Sequence, residues 1–67
     1  MSSVGIELQN EIKRNYELLA MYKSLSNGVG GFGAAMIQGD LDFAHDALKE
    51  DDIVKILQAY VKLKGNE

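Results

Sequence analysis

From Ala34 onward an apolar residue returns every three or four positions, at Ala34, Ile37, Leu41, Ala44 and Leu48. That interval follows the 3.6-residue turn of an α-helix and lines all five side chains along one stripe. Met36, Phe43 and Ala47 flank it. A strand would need alternation with period two, and outside the glycines no such run is sustained. Gly39 interrupts the stripe, and a glycine inside a helix costs about 1 kcal/mol relative to alanine. Asp40 behind it offers a cap for a fresh helical start, so the sequence leaves open whether this helix is continuous.

The segments on either side carry the same period. Leu8, Ile12, Tyr16 or Asn15, Leu19 and Tyr22 share one face of a first helix, widened by Leu18, Met21 and Leu25. Ser2 or Ser3 is placed to cap its start, and Asn27-Gly28 reads as a left-handed stop. The third segment opens on Asp51 or Asp52 as N-cap, ends with Lys62 and Lys64 in its last turn, and is stopped by Gly65. Ile53, Ile56, Leu57, Tyr60, Val61 and Leu63 are its apolar residues. The spacing predicts helices over about 3–26, 32–49 and 52–64, with a glycine-rich linker over 28–33. The short connection near Asp51 makes the last two an antiparallel hairpin. The expected fold is all-α, one domain over 1–67, with a long N-terminal helix packed on a C-terminal helical hairpin.

Size then bears on assembly. A chain of 67 residues without cysteine has no disulfide to support its small core, and folds of this size commonly recruit a disulfide, a metal or a partner subunit. Hydrophobic residues make up 46% of the chain, more apolar surface than one small bundle hides. The three helices either close as a bundle within one chain or share a core between two chains; the sequence favours the second, and a twofold pairing would bury the remainder. The lack of cysteine suits a reducing compartment. No basic segment followed by an apolar core marks a signal peptide. No apolar run approaches the roughly 20 residues that cross a bilayer. The expected location is cytoplasmic, with no membrane partner.

The one motif-like feature is glycine-rich. Gly28, Gly30 and Gly33 fit G-x-G-x-x-G, but a dinucleotide-binding turn needs a strand before it and a parallel sheet around it. Here a helix precedes the loop, and no Gly-Lys-Ser/Thr follows for a phosphate loop. Val29 and Phe32 are the apolar residues of this segment, and the expectation is that they tuck under the hairpin, since aromatic residues generally find the nearest core. The consecutive small residues Gly33, Ala34 and Ala35 permit close helix approach, either to the first helix or to a second copy.

Asp40, Asp42, Asp46, Glu50, Asp51 and Asp52 form an acidic segment. Counted from Asp40, a calcium loop would need a liganding oxygen where Ala44 stands, a glycine where His45 stands and a glutamate where Asp51 stands, so the match fails. One histidine among carboxylates does not make a zinc site. Solvated helix face and caps account for the cluster. The sharper reading is an acidic surface that imitates nucleic-acid phosphate and blocks a basic protein.

Catalysis finds no foothold. The chain has no cysteine nucleophile and one histidine, and paired carboxylates need a cleft that shifts their pKa values. No metal or cofactor is expected. A net charge of −3 and the two aspartates at the start of the third helix argue against direct nucleic-acid binding, where lysine and arginine carry affinity. The expected function is a non-enzymatic protein–protein interaction module, an adaptor or regulator acting through apolar helix faces. Tyr16, Leu19, Tyr22, Phe32, Met36, Phe43 and Tyr60 are the candidate interface residues.

Overall fold

The computed structural model describes residues 3–25, 28 and 30–67 of the chain. They form three helices, α1 (Ser3–Lys23), α2 (Gly31–Glu50) and α3 (Ile53–Lys64), and no strand. Each helix packs on both others, in an elongated bundle of 40 × 17 × 16 Å. α2 runs antiparallel to α3, as shown by the bonds between Asp40 and Asn66 at one end and Glu50 and Lys55 at the other. The expected all-α arrangement of a long first helix on a helical hairpin is the one observed.

The core follows from the period of each segment. Leu8, Ile12 and Leu19 from α1 meet Ala34, Ile37, Leu41, Ala44 and Ala47 from α2 and Ile56, Ala59 and Leu63 from α3. On α2 the stripe closes on Ala47, while Leu48 is only partly buried. Alanines at Ala34, Ala44, Ala47 and Ala59 carry little bulk, which lets the helix axes approach closely while leucine and isoleucine fill the remaining space. α2 passes through Gly39 unbroken, and Asp40 does not cap a second start.

Several expected boundaries need correction. α1 ends at Lys23, not at 26. The amide of Ser24 bonds to both the Ala20 and Met21 carbonyls, Leu25 N bonds to Tyr22 O, and Ser24 Oγ donates to Met21 O at 2.6 Å. The final turn thus tightens to three-residue spacing, and a side-chain hydroxyl competes for its carbonyl. Ser3 is already helical and is not a cap. The cap at Ser2, a helical Ser26, the stop at Asn27 and the tucking of Val29 fall outside the described residues. Gly28 does take the left-handed conformation, with φ 72°.

The linker is shorter than 28–33, because Gly31, Phe32 and Gly33 already belong to α2. Gly30 precedes them at the N-cap position, with no side chain to bond the first turn. Its role is steric. A Cβ there would lie 2.0 Å from the Tyr22 carbonyl oxygen, so only glycine lets the returning chain lie against the end of α1.

The turn between α2 and α3 divides its two aspartates between two tasks. Asp51 takes a left-handed conformation, φ 54°, with its amide on Leu48 O, and the Asp52 amide reaches back to Ala47 O. That pair of bonds closes the end of α2 as a Schellman motif, at a position glycine usually fills. Asp52 then caps α3, its Oδ1 accepting from the amides of Val54 at 3.0 Å and Lys55 at 3.2 Å. Gly65 follows the last turn of α3 in an ordinary right-handed conformation, not a left-handed one.

Candidate interaction surfaces

Among the described residues the interior holds one polar side chain, and it organises one side of the molecule. Asn15 is completely buried on α1. Its Nδ2 donates to Glu11 O at 2.8 Å and to Leu63 O at 3.1 Å. Its Oδ1 accepts from Asn66 Nδ2 at 2.9 Å, and that same amide nitrogen donates to Asp40 Oδ2 at 3.1 Å. Arg14 Nη2 adds a bond to Leu63 O at 2.8 Å, while Nε holds Glu11 Oε1 at 3.0 Å. A carbonyl at the negative end of α3 thereby receives a guanidinium from another helix, the favourable sign for the helix dipole. The network leaves no buried side-chain nitrogen or oxygen without a partner among the described residues, so it reads as architecture and not as a site awaiting a ligand.

The acidic segment is largely committed to the fold. Asp40 belongs to the Asn15 network, Asp52 caps α3, and Asp51 closes α2. Asp42 accepts from Gln38 Nε2 at 2.9 Å, and Glu50 pairs with Lys55 at 2.9 Å. The hydrogen bond and charge of Glu50 raise the Lys55 pKa above its ordinary value. Asp46 is exposed on the same helix. The carboxylates do not converge, and no group of three potential metal ligands occurs among the described residues. His45 instead meets Tyr16, whose hydroxyl lies 2.7 Å from Nε2.

Of the candidate interface residues, five are engaged within the chain. Leu19 is a core residue. Tyr16 is tied to His45. Tyr22 lays its ring 3.4 Å from the Cβ direction of Gly33 and donates its hydroxyl to the Glu67 carbonyl. Phe43 lies under the Lys62 ammonium at 5.0 Å, and Tyr60 lies near Lys64 at 5.4 Å. Ala34 is also consumed internally, in the core.

Phe32 and Met36 are different. Phe32 is 80% exposed, which corrects the expectation that it tucks under the hairpin. Because α2 begins at Gly31, Phe32 falls in its first turn two positions before the core stripe starts at Ala34, on the outer side. Met36 follows one turn later and is also exposed. Met21 and Leu25, at the end of α1, are exposed at the same end of the bundle. A crevice of about 160 Å³ opens beside Met36, bordered by Tyr22, Gly33 and the chain at Gly65 and Asn66.

The second surface went unrecognised in the sequence. Ile53, Val54, Leu57 and Val61 of α3 are all exposed, Val61 by 69%. Val54, Leu57 and Val61 lie on the side away from Ile56, Ala59 and Leu63, which face the core, and Ile53 borders them. α3 is therefore apolar on two sides, a pattern that ordinarily belongs to a helix covered on both. An open groove of about 590 Å³ runs along this face, lined by Phe43 from α2 and Leu57, Gln58, Val61 and Lys62 from α3. The signal was present in the spacing. Ile56 and Leu63 are seven residues apart, as are Val54 and Val61, but the two pairs are out of phase by about half a turn, so one apolar side cannot contain both.

No described helix is long and apolar enough to cross a membrane. Compared with protein-family models, curated proteins and solved structures, the chain matches none of them.

Proposed function

We propose that the protein is a non-enzymatic interaction module, a small adaptor or regulator that recognises another protein through apolar side chains at one end of its bundle. The observation that carries this reading is the exposure of Phe32 and Met36 on successive turns of α2, with Met21 and Leu25 at the same end. An aromatic ring in water contributes nothing to folding and brings a large apolar area to a contact. Methionine adapts its shape to an irregular partner surface. Side chains of this kind concentrate binding energy at protein interfaces. The acidic inhibitor reading draws no comparable support, since the carboxylates of Asp40, Asp42, Glu50 and Asp52 already bond within the chain.

The test compares the intact protein with a Phe32→Ala, Met36→Ala variant as bait in host extract. Any protein captured is then purified and titrated calorimetrically. Both positions are exposed, so the variant should keep its helical circular dichroism. Loss of binding by about tenfold or more is expected, the size of an interface hot spot. Undiminished binding by the variant overturns the reading.

A further inference from the structure

The outer face of α3 raises a separate question, because none of the described residues covers it. We infer that its occupant is a second copy of this chain, packed α3 against α3 in antiparallel register about a twofold axis near Leu57 and Gln58. This does not depend on partner docking at Phe32.

Two observations choose a copy of the same chain over another partner, and a third sets the strength of the pairing. The first is the symmetry of the exposed stripe. Val54, Leu57 and Val61 read valine–leucine–valine along α3 and are all exposed. A twofold axis between residues 57 and 58 sets Val54 opposite Val61 of the other copy and Leu57 beside its own equivalent. An isologous contact requires such a self-complementary surface.

The second is charge. At the start of α3 Glu50 is paired with Lys55 and Asp52 caps the helix, which leaves Asp51 as the exposed acid there, while the last turn is basic, with Lys62 and Lys64. Antiparallel pairing brings the acidic turn of each copy to the basic turn of the other, with Asp51 opposite Lys64. Both are exposed. Parallel pairing would set like charges together at each end. The helix dipoles also favour the antiparallel arrangement.

The third is scale. α3 has 12 residues and so runs about 18 Å. Two such faces make a contact at the small end of protein interfaces, which fits a reversible dimer better than an obligate one. Phe43, at the edge of the groove beneath Lys62, extends the apolar area beyond α3 itself.

Sedimentation equilibrium of the full chain tests the pairing. The expected mass rises from monomer toward dimer over roughly 1–100 µM, the range of a weak interface. Val61→Glu places a carboxylate in the apolar contact and should raise the dissociation constant about tenfold or more. Val61 is largely exposed, so folding should survive, and circular dichroism verifies that. Register is read separately. The chain has no cysteine, so Val54→Cys and Val61→Cys variants each carry a single thiol. When the two are mixed and oxidised, the 54–61 cross-link should dominate. A dominant 54–54 cross-link overturns the antiparallel register, and a monomer mass through high micromolar concentration overturns the dimer. Phe32→Ala with Met36→Ala should leave the mass unchanged, so failure of partner capture and failure of pairing are told apart.

Discussion

Asn15 is where a single side chain has the widest reach. It is buried, uncharged and bonded to α1, to the end of α3 and, through Asn66, to Asp40 of α2. Replacing it with alanine leaves the Asn66 amide with one acceptor fewer and the Leu63 carbonyl with one donor fewer. Desolvated polar groups without partners each cost about 1–3 kcal/mol. Asn15→Ala should therefore lower the unfolding free energy by about 2–4 kcal/mol in urea titration, a large part of the stability of a domain this small. Spacing placed Asn15 and Tyr16 as rivals for one position of the first helix, and only the fold decides between them. Asn66 lies 51 positions away in sequence and Asp40 lies 26 from Asn66, a distance no local pattern spans. Tyr16 turns outward to His45 instead.

At the scale of elements, the sequence was most legible where period and cap agreed. α3 begins just after its cap Asp52 and ends before Gly65 as its composition predicts, because an aspartate that bonds two free amides and a following proline-free apolar run leave little choice. The end of α1 was less legible, since Ser24 and Leu25 are compatible with helix and only their bonding closes the turn early. Phe32 was misjudged for a related reason. Its burial depends on the phase of α2, and the stripe from Ala34 to Leu41 puts residue 32 on the outer side, which outweighs the general tendency of aromatic rings to find a core. Gly39 shows the opposite balance, where packing on both sides carries the helix through a weak residue. A Cβ at Gly39 would meet nothing within 4 Å. Gly39→Ala should thus raise stability by about 0.5–1 kcal/mol, through helix propensity and a less flexible unfolded chain. A higher midpoint with unchanged slope in the same urea titration checks it.

For the whole molecule, the balance of faces matters more than any one of them. The bundle closes its core with three helices, yet leaves one end and the outer side of α3 apolar. If α3 pairs with its copy, folding and association are linked, and the melting temperature becomes a function of protein concentration. A tenfold increase in concentration across the micromolar range should raise it measurably, and Val61→Glu should flatten that dependence. Differential scanning calorimetry at several concentrations reads both. The pairing would also carry two Phe32 ends on one particle, so a bivalent partner would bind with avidity beyond either contact alone.

The network around Asn15 has one more consequence, for the order in which parts of the protein open. Because α1, the middle of α2 and the end of α3 are tied into one chain of hydrogen bonds, no helix leaves the bundle without breaking a bond of that network. Partial opening is thereby penalised on all three helices at once. Amides near Asn15, Leu41 and Leu63 are expected to exchange with solvent together, in the slowest class, through one cooperative event. The apolar end at Phe32, which lies beyond that knot, remains free to yield to a partner without loosening the rest.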